Sequence, residues 1–304
     1  MALFNASLVG GSSVEIDGVE VDGDLKLVKT KGDVQLPDLP YSFYWGDATV
    51  FNNEVHVLGG YNDSIYTNHY KFNGTEWVSA STLPYGYARG IVVTFNNALH
   101  MLGGYHSSST GRYHYKFNGS TWTSVSTLPY SAQDTSGIVF NNEIHMLGSG
   151  STSYSQYHYK FNGSTWTSVS SLPYVFYNAE AVVHNGEIHI LGSGSSDYAK
   201  KHYKYNGSTW TSVSTLPVAF KYGSAISLNG KIHLIGSGSD TTLYYIYYVW
   251  NGTSWTSTRS APYPFERGCS VVKDSTIYLL GSYQSLGTKR AWRLDVPLYE
   301  VKTN

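Results

Sequence analysis

Six residues have the types to recognise a polar ligand and a spacing that could let them do it together. Prolines at Pro40, Pro84, Pro129, Pro173, Pro217 and Pro262 are each followed five residues later by Trp45, Arg89, Asp134, Asn178, Tyr222 and Arg267. If the chain brings these positions to one mouth, two guanidinium groups, a carboxylate, an amide and two aromatic rings converge there. Tyr44, Tyr87, Gln133, Tyr177, Lys221 and Glu266 stand beside them. Aromatic platforms next to planar hydrogen-bonding groups suit carbohydrate, because sugar C–H faces stack on rings while hydroxyls meet Asp, Asn and Arg. The same set also suits an acidic peptide, with Arg89 and Arg267 gripping carboxylates in two-pronged fashion. A channel lining without a ligand is the third reading.

Other candidate chemistry is weaker. Histidines recur at His56, His100, His145, His189 and His233, and again at His69, His114, His158 and His202. If they belong to successive sheets around an axis, equivalent residues stand on the order of 10 Å apart, whereas zinc needs ligands near 2 Å. Packing is therefore expected, and no metal or cofactor. Asn73, Asn118, Asn162, Asn206 and Asn251 each open an N-x-S/T sequence, which turn chemistry alone explains. Nucleophile triads, metalloprotease motifs and phosphate loops are missing, so no catalytic residue is assigned. A polysaccharide-degrading enzyme using Asp134 with Glu180 or Glu266 as acid and base stays open as an alternative. Cys269 has no disulfide partner and is expected to be a buried, inert thiol.

The elements that must position these residues follow from the proline clock, whose intervals are 44, 45, 44, 44 and 45 residues. This is one unit copied six times. Trp77, Trp122, Trp166, Trp210 and Trp255 keep the same period, as do Tyr70, Tyr115, Tyr159, Tyr203, Tyr248 and Trp292. Each unit reads as four antiparallel strands, a to d. In the third copy, Ser136 to Phe140 is strand a, Glu143 to Leu147 strand b, Gln156 to Phe161 strand c, and strand d runs from Trp166 to Ser170. Asn141-Asn142 and Asn162-Gly163 supply residues that tolerate a positive φ in hairpin turns. Such sheets bury both faces only by packing face to face around an axis, which predicts an all-β, six-bladed propeller.

Gly59-Gly60 with Tyr70 and Trp77, and Gly103-Gly104 with Tyr115 and Trp122, resemble kelch repeats: an apolar strand ending in a Gly pair, then Tyr and Trp. The resemblance covers the chain from about Asp38 onward and implies the same propeller. Later copies depart from it, with Ser149, Ser193, Ser237 and Ser282 at the second glycine. The outermost strand of the last blade has two candidates in register. Tyr299 to Asn304 is favoured, and Asp33 to Pro40 is the alternative. Residues 1–36 are read as an attachment or oligomerisation arm, with the propeller spanning 37–304. In the arm, the alternation from Val14 to Gly23 and the two Asp-Gly pairs predict a small β element that packs on a partner chain or a second copy.

Lys plus Arg total 20 against 21 Asp plus Glu, so no basic excess invites nucleic acid. No apolar run is long enough for membrane insertion. The b–c and d–a connections share one face and differ from blade to blade, which makes it the expected recognition surface. Tyr61, Tyr105, Tyr154, Tyr198, Tyr244 and Tyr283 would form its rim. The favoured expectation is a non-enzymatic module that binds a surface glycan or glycosylated receptor. With its Gly/Ser/Tyr/Thr repeats and alternating arm, the chain is similar to tip proteins of phage-like particles, implying a virion or extracellular particle. An intracellular kelch-type protein–protein adaptor, which would be cytoplasmic, is the other non-enzymatic alternative.

Overall fold

A computed structural model of the chain describes residues 32–105, 111–150, 153, 155–237, 244–284 and 288–294, plus three short strands nearer the amino terminus. Those strands, Ala6–Val9, Ser13–Ile16 and Val19–Asp22, form an antiparallel sheet of their own, and the expected Asp17-Gly18 turn lies outside the described residues. The Asp22-Gly23 turn expected from the sequence lies partly outside the described residues.

Six four-stranded sheets follow. Their innermost strands are Asp47–Phe51, Ile91–Phe95, Ser136–Phe140, Glu180–His184, Ser224–Leu228 and Cys269–Lys273, which open blades 1 to 6. Each strand a packs on the next, and that of blade 6 returns to blade 1, closing the ring. In the third blade the observed strands a and b match the expected ones, while c and d are shorter, His158–Phe161 and Trp166–Ser168. The a–b turns use two left-handed residues, as at Asn141 (φ 49°) and Asn142 (φ 58°). The c–d turns use only the glycine that way. Their asparagine instead accepts backbone N–H groups through its side chain, as Asn118 Oδ1 does from Ser120 and Thr121 at 2.9 Å each, so the N-x-S/T pattern coincides with this Asx turn.

The ring is closed from the amino-terminal side, which corrects the expectation that favoured Tyr299 to Asn304. Val34–Gln35 is the outermost strand of blade 6, pairing with Trp292 and Arg293. The segment after it runs along the blade: Leu36 N–H donates to Ala291 O at 2.9 Å and Leu39 N–H to Lys289 O at 2.7 Å. Arg259 also holds Asp33 at 2.7 Å. Leu39 and Phe43 are fully buried, so this stretch supplies the apolar connection into blade 1 that every other blade has. The propeller thus begins before residue 37, and Val34–Gln35 belongs to it rather than to the arm. Residues 299–304 lie outside the described residues.

Blade contacts explain the repeat motif. The first glycine of each pair is left-handed. A Cβ on Gly148 (φ +66°) would stand 1.9 Å from the Phe176 carbonyl oxygen, and one on Gly281 (φ +62°) 1.9 Å from that of Phe43, so no other residue fits. The departures at the second glycine also have a reason. Ser149, Ser193, Ser237 and Ser282 are buried, and their hydroxyls donate to Ser131, Val175, Ala219 and Pro264 carbonyls at 2.6 to 3.1 Å. The tyrosine after the repeat proline clamps neighbouring blades: Tyr85, Tyr130, Tyr174 and Tyr263 donate to Gly103, Gly148, Gly192 and Gly281 carbonyls.

The histidines are buried within blades and pair across strands b and c. His56 with His69, His100 with His114 and His189 with His202 meet at 2.8 Å, and His145 with His158 at 2.7 Å. His69 Nδ1–H donates to the Ser81 carbonyl at 3.1 Å, which leaves its Nε2 as acceptor for His56 Nδ1–H. The next blade caps each pair, as Phe117 and Trp122 do with rings 5.1 and 5.7 Å from that of His69. In blade 5, Tyr247 replaces the second histidine and meets His233 at 2.9 Å. Among the described residues, no three metal-ligating side chains converge.

Burial, first of all, holds the strand-b histidines His56, His100, His145, His189 and His233 at about 4. It holds His69, His114, His158 and His202 at about 3. Folded histidines therefore stay neutral where unfolded ones, titrating near 6.5, take up protons. Stability is expected to be flat above pH 7 and to fall from pH 6.5 towards 4, each histidine adding a slope of up to about 1.4 kcal/mol per pH unit. Denaturant unfolding at pH 7.5, 6 and 5 checks this, and equal midpoints would refute it. Gly148→Ala is expected to cost about 3 kcal/mol or more in the same assay, since it adds a clash to a left-handed backbone.

Candidate functional site

The d–a connections bring the six predicted positions to the axis. Trp45, Arg89, Asp134, Asn178, Tyr222 and Arg267 all have a left-handed backbone, with φ between 52° and 61°. Bulky side chains rarely adopt this conformation, and each costs on the order of 1 kcal/mol or more. The return is a closed ring of backbone hydrogen bonds. Arg89 N–H donates to Trp45 O at 2.6 Å, Asp134 to Arg89 at 2.8 Å, Asn178 to Asp134 at 3.0 Å, Tyr222 to Asn178 at 2.8 Å, Arg267 to Tyr222 at 2.6 Å and Trp45 to Arg267 at 2.8 Å. Every blade is thereby pinned to both neighbours at the mouth.

The preceding residue anchors the b–c loop. Tyr61 N–H donates to Tyr44 O, Tyr105 to Ala88 O, Gly150 to Gln133 O, Gly194 to Tyr177 O and Tyr283 to Glu266 O. This is how Tyr61 and Tyr283 come to stand against the mouth. Tyr105 and Tyr283 are exposed, Tyr61, Tyr198 and Tyr244 are half-buried, and Tyr154 lies outside the described residues.

The side chains of the ring engage one another. Arg89 grips Asp134 in two-pronged fashion, Nε to Oδ1 at 2.6 Å and Nη2 to Oδ2 at 2.7 Å. Burial raises the Asp134 carboxyl, while Arg89 pulls it back down. Asn178 Nδ2 donates to the Tyr222 hydroxyl at 3.3 Å. Arg267 stands apart. Its guanidinium lies 4.8 Å from the Trp45 ring, 4.6 Å from Tyr222 and 4.5 Å from Tyr283, a cation held by π faces. Its Nε is buried without a hydrogen-bond partner, with Glu266 3.5 Å away. Arg89 also lies over Trp45, at 4.7 Å.

The flanking residues divide. Tyr87 does not line the mouth. It falls one position earlier in the connection, in the column of Phe43, Phe176, Phe220 and Phe265, and is fully buried between blades. Ala88 takes the flanking place. Tyr44 is buried as a support, its ring 5.2 Å from Tyr283 and 5.7 Å from Trp45. Tyr177 is half-buried and lines its own loop against Gly194. Glu266 is buried and accepts from Gln284 Nε2 at 2.6 Å.

The mouth opens into an axial channel, and the two together form a cavity of about 400 Å³ that reaches down to Asp47, Ser136, Glu180, Ser224 and Cys269. Sequence reasoning reached Glu180 only as an acid–base partner for Asp134 and missed Asp47. The seventh residue after each proline marks this layer, as the fifth marks the mouth. Burial pushes Asp47 up to about 7 against two backbone N–H groups that lower it, and pushes the Cys269 thiol up, keeping it inert.

Among solved structures, the chain is similar to one titled "Structure of YjhT", with a TM-score of 0.72 and 15% identity, over 86% of this chain and 95% of that one. At that identity the likeness establishes the fold: an all-β, six-bladed propeller. No family model and no curated protein matches the sequence.

Removing the Arg89 side chain strands a buried carboxylate. Arg89→Ala is expected to cost about 3 kcal/mol at pH 8, and less as the pH falls and Asp134 takes up a proton. Thermal melts across pH 5 to 8 check this, and a pH-independent cost would exclude the pairing as its cause.

Proposed function

We propose that this propeller is a non-enzymatic recognition module that binds a surface glycan, free or on a receptor, through the mouth of its variable face. The observation that carries the reading is Arg267. Its guanidinium is fixed by the rings of Trp45, Tyr222 and Tyr283 and, with Glu266 3.5 Å from its Nε, makes no side-chain hydrogen bond among the described residues, so a planar set of donors stands ready beside aromatic faces. Sugar rings stack on such faces while their oxygens accept from such donors. A two-arginine clamp for an acidic peptide is less well supported, because Arg89 is already committed to Asp134. The same bond disfavours Asp134 as a free catalytic acid or base. We place the segment before Asp33 as the region through which the module attaches to a larger assembly or a second copy, as in tip proteins of phage-like particles. The small sheet formed by Ala6–Val9, Ser13–Ile16 and Val19–Asp22 supports that part of the reading.

A glycan array with the full chain tests it. The best ligand is expected to lose tenfold or more in affinity with Arg267→Ala and with Trp45→Ala, while incubation leaves that glycan chemically unchanged. Unaltered affinity in both variants would refute the mouth as the site, and turnover abolished by Asp134→Asn would establish an enzyme instead.

A further inference from the structure

One layer below the mouth, the first residue of each strand a faces the channel: Asp47, Ile91, Ser136, Glu180, Ser224 and Cys269 line the cavity there. Because strands a touch in the order of blades 1 to 6 and back to 1, blades 1 and 4 stand opposite. Asp47 therefore faces Glu180 across the axis. Asp47 is committed to the scaffold, its two oxygens accepting backbone N–H from Ala48 at 2.8 Å and Val92 at 2.7 Å. Glu180 is not. Its carboxylate has no hydrogen bond or ion pair among the described residues, although protein encloses it on every side except the channel lumen.

The neighbours of Glu180 do not neutralise it. Ser136 accepts from Ala181 N–H at 3.0 Å, and Ser224 pairs with Ser270 at 2.7 Å. The titratable groups that face it are Asp47 and the buried Cys269 thiol, and both oppose its negative charge. The mouth arginines belong to the layer above, Arg89 held by Asp134 and Arg267 by its rings. A carboxylate removed from bulk water without a partner is costly, and a second acid opposite adds to the cost. Protonation relieves both, and burial and Asp47 accordingly push the Glu180 carboxyl well up; a bound cation relieves both with the charge in place.

We propose that this layer of the channel binds a small organic amine in its ammonium form, gripped by Glu180 on one wall and Asp47 on the other. Two carboxyl groups on opposite walls suit an N–H donor reaching both. They do not suit a metal ion, which needs several short ligands converging around one point, and no such group converges among the described residues. The layer lies within the channel cavity, which with the mouth measures about 400 Å³ and has room for a molecule of several heavy atoms. This site is separate from the glycan reading of the mouth and stands or falls without it.

Calorimetric titration of the full chain at pH 8.5 with 1,4-diaminobutane and with methylammonium chloride tests the proposal. Tetramethylammonium chloride and sodium chloride at matched ionic strength serve as controls. The expected result is saturable one-to-one binding of both amines, none of tetramethylammonium, which lacks N–H, and at least a tenfold loss of affinity in Glu180→Gln. Because the Glu180 carboxylate makes no contact that folding depends on, this variant is expected to melt no lower than the parent. Asp47→Asn, which removes the facing charge and keeps an acceptor oxygen, is expected to weaken binding less. No saturable heat with either amine, equal binding by tetramethylammonium, or equal affinity in parent and Glu180→Gln would overturn it.

Discussion

The propeller hangs on a hoop of six backbone hydrogen bonds at its axis, from Trp45 through Arg89, Asp134, Asn178 and Tyr222 to Arg267 and back. Each of the six gives its N–H to the preceding blade and its carbonyl to the next from a left-handed backbone. The hoop uses only main-chain atoms, so it constrains conformation and leaves side-chain identity free. That freedom is what makes this ring the variable one. Two arginines, a tryptophan, a tyrosine, an asparagine and an aspartate occupy equivalent places because the backbone does the structural task at each of them.

Elsewhere the repeat is uniform for the opposite reason: its side chains make the contacts. The left-handed glycine after strand b lies against the carbonyl of the next connection, where a Cβ has no room. The histidines of each pair bond to one another inside a blade and meet the aromatic column of the next in T-shaped contacts. Losing either partner leaves a buried polar nitrogen without its bond. The second glycine position shows how the pattern changes without loss. A serine enters where its hydroxyl finds a carbonyl of the connection, so Gly60 and Ser149 solve the same local problem by different means.

Much of the fold was readable because proline, glycine and tryptophan mark a fixed period, and strands a and b of the third unit emerged at their observed ends. The mouth positions were readable by counting from the prolines. Tyr87 stands three residues after Pro84, in the column of Phe43 and Phe176, whereas Tyr44 and Tyr177 stand four after their prolines, and that one-residue difference sends its side chain to the inter-blade core. The other misses needed information that a period lacks. Closure was ambiguous because Val34–Gln35 and the carboxyl-terminal residues share the register. Only the run of bonds from Leu36 and Leu39 onto blade 6 separates them. Histidine packing was foreseen, but the pairing depends on cross-strand register, which places Nδ1 of one ring opposite Nε2 of the other.

The two rings of the axis also differ in how their charges are balanced. At the mouth, the one carboxylate of the ring meets a guanidinium and the other guanidinium meets π faces, so the positive charges are spread over groups that remain partly open to solvent. One layer down, the seventh positions include two acids and no base, with a low-polarity wall at Ile91 and Cys269. A closed six-fold ring puts positions from blades 1 and 4 face to face whatever their sequence separation, here 133 residues between Asp47 and Glu180. Repetition of the scaffold thus turns two unremarkable acids in distant repeats into a facing pair. Since the hoop and the glycines already hold the blades in place, nothing in the scaffold requires Glu180 to be charged. Its presence is better explained by what enters the channel than by what builds it.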